Sequence, residues 1–132
     1  MNTSRLHERI GEYVQAVSRL EDALRQPKNE FIRDAVIQRF EFCFELAWKM
    51  LRLKLQDEGL AVNTPRETLQ QALTAGMLAD GNGWSAMQKM RNLTSHTYDE
   101  SLAEQVYVYV AQPGTLLLRQ LAKKATTWSM VS

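Results

Sequence analysis

The chain has a single cysteine, Cys43, and so cannot close an internal disulfide. It has only two histidines, His7 and His96, which with one thiol fall short of the nitrogen and sulfur ligand sets of a structural zinc site. No apolar run approaches the length of a membrane span. The opening residues Met1-Asn2-Thr3-Ser4-Arg5-Leu6-His7-Glu8-Arg9 lack the apolar stretch of a secretion signal. A basic surplus is missing too: the formal net charge is +1, whereas proteins that wrap nucleic acid without sequence preference carry a clear positive excess. These absences point to a cytoplasmic chain that uses no metal or cofactor, sits in no membrane and does not wrap DNA. A local basic cleft, in one copy or shared between two, stays open. Cys43, placed between Phe42 and Phe44, reads as a small buried hydrophobe and not as a nucleophile.

What the sequence does contain is helical periodicity. Its 132 residues fit one domain, residues 1–132, with an ordered core over about 5–125. Leu6, Ile10, Tyr13, Val14, Val17, Leu20 and Leu24 predict an amphipathic helix that stops near Pro27. A longer helix is expected from Glu30 to Glu58. Its crowded centre, Phe40 to Leu51, is apolar on more than one face, which marks it as the central helix, and Trp48 belongs to that core. Gly59 suits the left-handed position after its end. Thr64-Pro65-Arg66-Glu67 is a helix start with a cap, a proline at the first position and a capping-box glutamate, and the helix closes at Gly76. Asp80-Gly81-Asn82-Gly83 reads as a glycine loop, followed by a helix that places Trp84, Met87, Met90 and Leu93 on one face. Thr97 and Glu100 read as a further capping box, Pro113-Gly114 as a break or kink, and 115–126 as a last helix before a frayed tail from Thr126. The run Val106 to Ala111 has strand propensity but no strand to pair with. The fold class is therefore an all-α up-and-down bundle of four to six helices.

One stretch gathers more chemistry than any other: Arg91-Asn92-Leu93-Thr94-Ser95-His96-Thr97-Tyr98-Asp99-Glu100. On an unbroken helix Arg91 and His96 would point about 140° apart, so they converge only if the helix ends between them or if two copies meet across a two-fold axis. An arginine beside a histidine suits RNA cleavage, since the imidazole can take the proton of a 2′-hydroxyl while the guanidinium stabilises charge growing on the phosphate. The plainer alternative, an Arg91 paired to an acid such as Asp99 and a His96 packed at a helix end, stays open here. Glu41 and Glu45 share a face of the central helix, with Lys49 next in the row. They are expected either to orient Arg91 or Arg66, as supporting groups, or to form an exposed stripe.

Arg91, with Asn92 beside it, then His96 and Tyr98, resembles the R-x4-H-x-Y motif of the HEPN superfamily. The segments Arg39-Phe40-Glu41-Phe42-Cys43-Phe44-Glu45-Leu46-Ala47-Trp48-Lys49 and Thr64-Pro65-Arg66-Glu67 extend the likeness. Together with Arg91 to Glu100 they resemble the branch of nucleotidyltransferase substrate-binding proteins, close relatives of the HepT toxins, over about residues 5–125. The resemblance implies a HEPN-like bundle that dimerises through the helices carrying the motif. It implies Arg91 and His96 as catalytic residues of a metal-independent endoribonuclease site in the dimer cleft, with Asn92, Glu41 and Glu45 in support. It also implies a small nucleotidyltransferase as antitoxin partner, which silences the toxin by attaching AMP to Tyr98. The alternative reading is a non-catalytic subunit that presents a substrate to that nucleotidyltransferase.

Overall fold

In the computed structural model, which describes residues 3–129, the core is built around one helix. Helix α1 (Thr3–Leu24) buries Leu6, Ile10, Tyr13, Val17 and Leu20, the predicted stripe, while Val14 stays at the surface. It packs along α2 (Glu30–Asp57), which opens on Asn29, whose side chain accepts from the Ile32 amide at 2.8 Å. Helix α2 is buried on several faces at once, with Phe40, Cys43, Ala47, Met50, Leu51 and Leu55 shut from solvent, because α1 covers one side and α3, α4 and α5 cover the other. Gly59, at φ 88°, and Gly76, at φ 78°, take the left-handed conformation that ends α2 and α3.

Helix α3 (Pro65–Thr74) starts as its sequence predicts: Thr64 Oγ1 accepts from the Glu67 amide at 3.1 Å, and Glu67 accepts in return from the Asn63 amide, one residue before the cap. The next three boundaries depart from expectation. Asp80-Gly81-Asn82-Gly83 is not a loop. Helix α4 (Gly81–Leu93) begins inside it, capped by Asp80, whose carboxylate accepts from the Gly83 amide at 2.8 Å. Gly83 is there for packing, since a Cβ would stand 2.5 Å from Asp80 Oδ2 and 2.9 Å from Leu117 Cδ1. The Thr97–Glu100 capping box does not form either. Helix α5 (Glu100–Tyr109) is capped by Asp99, which accepts from the Ser101 and Leu102 amides, and Thr97 instead donates to the Thr94 carbonyl at 3.0 Å.

Pro113-Gly114, expected as a break or kink, interrupts the α-helical pattern without ending the chain's last rod. Val110–Gly114 forms a π turn that runs directly into α6 (Thr115–Ser129). A wider turn absorbs the hydrogen bond that proline cannot donate. The fraying expected from Thr126 is also absent as far as Ser129; residues 130–132 lie outside the described residues. Helix α6 returns onto α1, where Tyr13 Oη donates to the Leu118 carbonyl at 2.7 Å. The result is an all-α up-and-down bundle, with no strand among the described residues and no helix long and apolar enough to cross a membrane. Val106–Ala111 is helix and π turn, with Val106 and Val110 buried. Trp84 is core as expected. Trp48 is half-buried against that core, and Trp128 is half-buried beneath the Lys54 ammonium.

Candidate functional site

Helix α4 ends between Arg91 and His96. Leu93 is its last residue, and Thr94–His96 continue as one 3-10 turn. The four terminal carbonyls of a helix need donors from elsewhere, and here neighbouring hydroxyls supply three bonds. Thr94 Oγ1 donates to the Arg91 carbonyl at 2.7 Å, Ser95 to that of Asn92 at 3.1 Å, and Thr97 to that of Thr94. The Asp99 amide donates to the His96 carbonyl at 3.1 Å, and the Asp99 side chain then caps α5. This lacing fixes a sharp corner between α4 and α5.

Inside that corner Arg91 is half-buried and aimed at α2. Its guanidinium donates to Thr94 Oγ1 at 3.1 Å and to Glu45 Oε1 at 3.4 Å, and it stands 3.6 Å from Glu41 Oε2. Glu45 is itself held by Trp48, whose indole donates at 3.0 Å. The glutamates of the central helix therefore do orient Arg91, and Asp99 is not its partner. Arg91 Nε is buried with no hydrogen-bond partner among the described residues. His96 is exposed on the 3-10 turn, and Tyr98, 84% exposed, stands edge-on to it with ring centroids 6.1 Å apart. Asn92 is not brought to Arg91. It faces the groove between α3 and α4, with Arg66 and Lys89. Arg91 and His96 share no hydrogen bond among the described residues. No three His, Cys, Asp or Glu side chains gather as a metal cage among the described residues.

One residue of this region escaped the sequence reading. Arg33, buried on α2, donates to Glu100 at 2.6 and 3.4 Å, to Glu104 at 3.4 Å and to Asp34 at 3.2 Å. It pins the start of α5, and with it the far side of the corner. The signal was available: Arg33 lies on the same helical row as Ile37, Phe40 and Phe44, a charged residue on a buried face.

The helical bundle and the sequence together define a class: the chain belongs to the family described as nucleotidyltransferase substrate binding protein like, whose model matches residues 8–124. This is the branch of the HEPN superfamily that the sequence resembles. Among individual proteins, the chain is 38% identical over 98 residues to the probable ribonuclease HepT of Haemophilus influenzae, covering 67% of this chain and 66% of that one. The match thus spans just under two thirds of that relative's length. Two solved structures share the fold. One, from Thermus thermophilus, has a TM-score of 0.78 at 31% identity over 86% of this chain and 98% of its own. The other, from Haemophilus influenzae, is described as the fold of a substrate binding domain of a nucleotidyltransferase; its TM-score is 0.68 at 28% identity, over 95% and 99% of the two chains.

Proposed function

We propose that this chain, acting as one domain in the cytoplasm, is the endoribonuclease toxin of a toxin–antitoxin pair and works without a metal. The observation that carries this reading is the corner itself: a guanidinium oriented by Glu41, Glu45 and Thr94, followed past the helix end by an exposed imidazole and phenol. The ribonuclease name of its relative agrees with it. In a two-fold dimer one shared cleft receives the set of both copies. One His96 imidazole takes the 2′-hydroxyl proton, the 2′ oxygen attacks phosphorus to form a cyclic phosphate, and the other His96 protonates the departing 5′ oxygen. Arg91 stabilises the charge that grows on the phosphoryl oxygens. Asn92 lines the neighbouring groove and supports the cleft from there. Tyr98 is the switch: its exposed phenol accepts AMP from ATP through the partner nucleotidyltransferase, with release of pyrophosphate, and the added bulk and negative charge close the cleft to RNA.

Expression of the chain alone in a bacterium tests this. Growth arrest is expected, and it disappears in His96→Ala; a harmless wild-type chain sinks the reading. The family's own description favours a second possibility, a non-catalytic subunit that presents substrate to a nucleotidyltransferase. Mass spectrometry after incubation with that partner and ATP separates the two. An AMP adduct on Tyr98 makes this chain the target, and a stable complex of unmodified chains favours the subunit.

A further inference from the structure

A chain of net charge +1 concentrates four cations in one place. Arg5 and Arg9 of α1 and Lys49 and Arg52 of α2, with Gln56 and Leu53, line a cleft of about 250 Å³ between the start of α1 and the second half of α2. No carboxylate among the described residues lines it. Arg9 reaches out to Glu12 at 3.0 Å, but Arg5, Lys49 and Arg52 make no ion pair among the described residues. Arg52 is the telling one: its Nε is buried and has no hydrogen-bond partner among the described residues. Gathering like charges with none opposite is unfavourable, so a site of this kind is built for an anion that arrives from outside.

Its place on α2 says which anion. At about 100° per residue, Glu41, Glu45, Lys49, Arg52 and Gln56 fall within an arc of roughly 80°. They form one polar stripe whose upper end holds Arg91 and whose lower end is the cleft. Lys49 and Arg52 stand roughly 6 and 10 Å further along the helix than Glu45, at about 1.5 Å per residue. A linear polyanion anchored at Arg91 and laid along this stripe passes the cleft. Among the described residues Leu53 is the cleft's sole apolar lining residue, whereas the core of a protein-binding patch is apolar.

We propose that the Arg5, Arg9, Lys49 and Arg52 cleft binds a backbone phosphate of single-stranded RNA, away from the scissile bond, and so sets how the strand lies across the Arg91–His96 corner. The proposal rests on the ribonuclease reading for the identity of the strand. Its test measures binding in a His96→Ala background, by fluorescence anisotropy of a labelled RNA across a salt series. Lys49→Gln with Arg52→Gln is expected to weaken binding about tenfold at low salt and to flatten the slope of log affinity against log salt by about 1.4, two contacts at about 0.7 each. Arg25→Gln with Lys123→Gln removes the same charge elsewhere and is expected to cost less than about twofold. Lys49→Gln alone, at an exposed side chain that the fold does not need, is expected to cost about threefold and about 0.7 of slope. Equal losses in the two charge-matched pairs, absence of RNA binding, or weakened affinity for the nucleotidyltransferase with RNA affinity intact would overturn the proposal. RNA held through the cleft yet left whole by the wild-type chain would instead refute the ribonuclease reading and support the cleft.

Discussion

Two arginines of this molecule each reach from one helix to a pair of glutamates four residues apart on another. Arg33 of α2 meets Glu100 and Glu104 of α5, and Arg91 of α4 meets Glu41 and Glu45 of α2. The chemistry is the same and the grip is not. Arg33 has a side chain 7% exposed and a shortest contact of 2.6 Å, and its bond to Glu100 above all holds its proton more firmly than usual. Arg91 is 26% exposed, its carboxylates stand 3.4 and 3.6 Å away, and one of its nitrogens is left over. A fully committed guanidinium fastens helices together. A loosely held one, aimed but not satisfied, keeps donors for something else.

Removing each arginine is the strongest way to break this contrast. Arg33→Gln is expected to cost about 2 kcal/mol in urea unfolding, because it strips the fork that ties α2 to α5, while the RNA cleavage proposed above persists per folded molecule. Arg91→Gln is expected to cost about 1 kcal/mol or less and to abolish cleavage. Matching stability losses, or matching activity losses, would show the two clusters to be equivalent. A finer test uses the corner's hydroxyls. Thr94→Val removes the group that aims Arg91 and should slow cleavage about tenfold at a cost of about 1 kcal/mol, whereas Thr97→Val should cost similar stability and leave cleavage alone.

The smallest effect is one of pH. The Lys28 hydrogen bond, with Arg33 adding to it, holds the Glu104 carboxyl below its ordinary value. A depressed carboxyl contributes stability that is fully present above its unfolded value and is lost as pH falls through the folded one. Glu104→Gln should therefore flatten the decline of melting temperature below about pH 4.5.

How much of this was legible in the chain follows from which forces are local. Helix α1, helix α2 and the Thr64 start of α3 were readable because periodicity and a cap within three residues decide them. Gly81 to Gly83 misled, since two glycines look like a loop until Leu117, far along the chain, is seen to need the space at Gly83. Thr97 misled as a cap: Asp99, two residues on, caps α5, and the Glu100 carboxylate that a capping box would turn back to Thr97 is held by Arg33. The neighbourhood of Arg91, His96, Tyr98, Glu41 and Glu45 could be anticipated from spacing and resemblance, though not that Asn92 would face another groove. The basic cleft was hidden because two of its cations belong to α1, and only the antiparallel packing of α1 on α2 brings Arg5 and Arg9 to Lys49 and Arg52.

Cys43 closes the comparison from the inside of α2. Burial, with Glu21 adding to it, pushes its thiol up to about 12, and no part of its side chain reaches solvent. The folded chain is thus blank to thiol reagents at neutral pH. A spectroscopic label attached through Lys49→Cys or Tyr98→Cys would report from one address, at the lip of the basic cleft or beside His96, with no background to subtract.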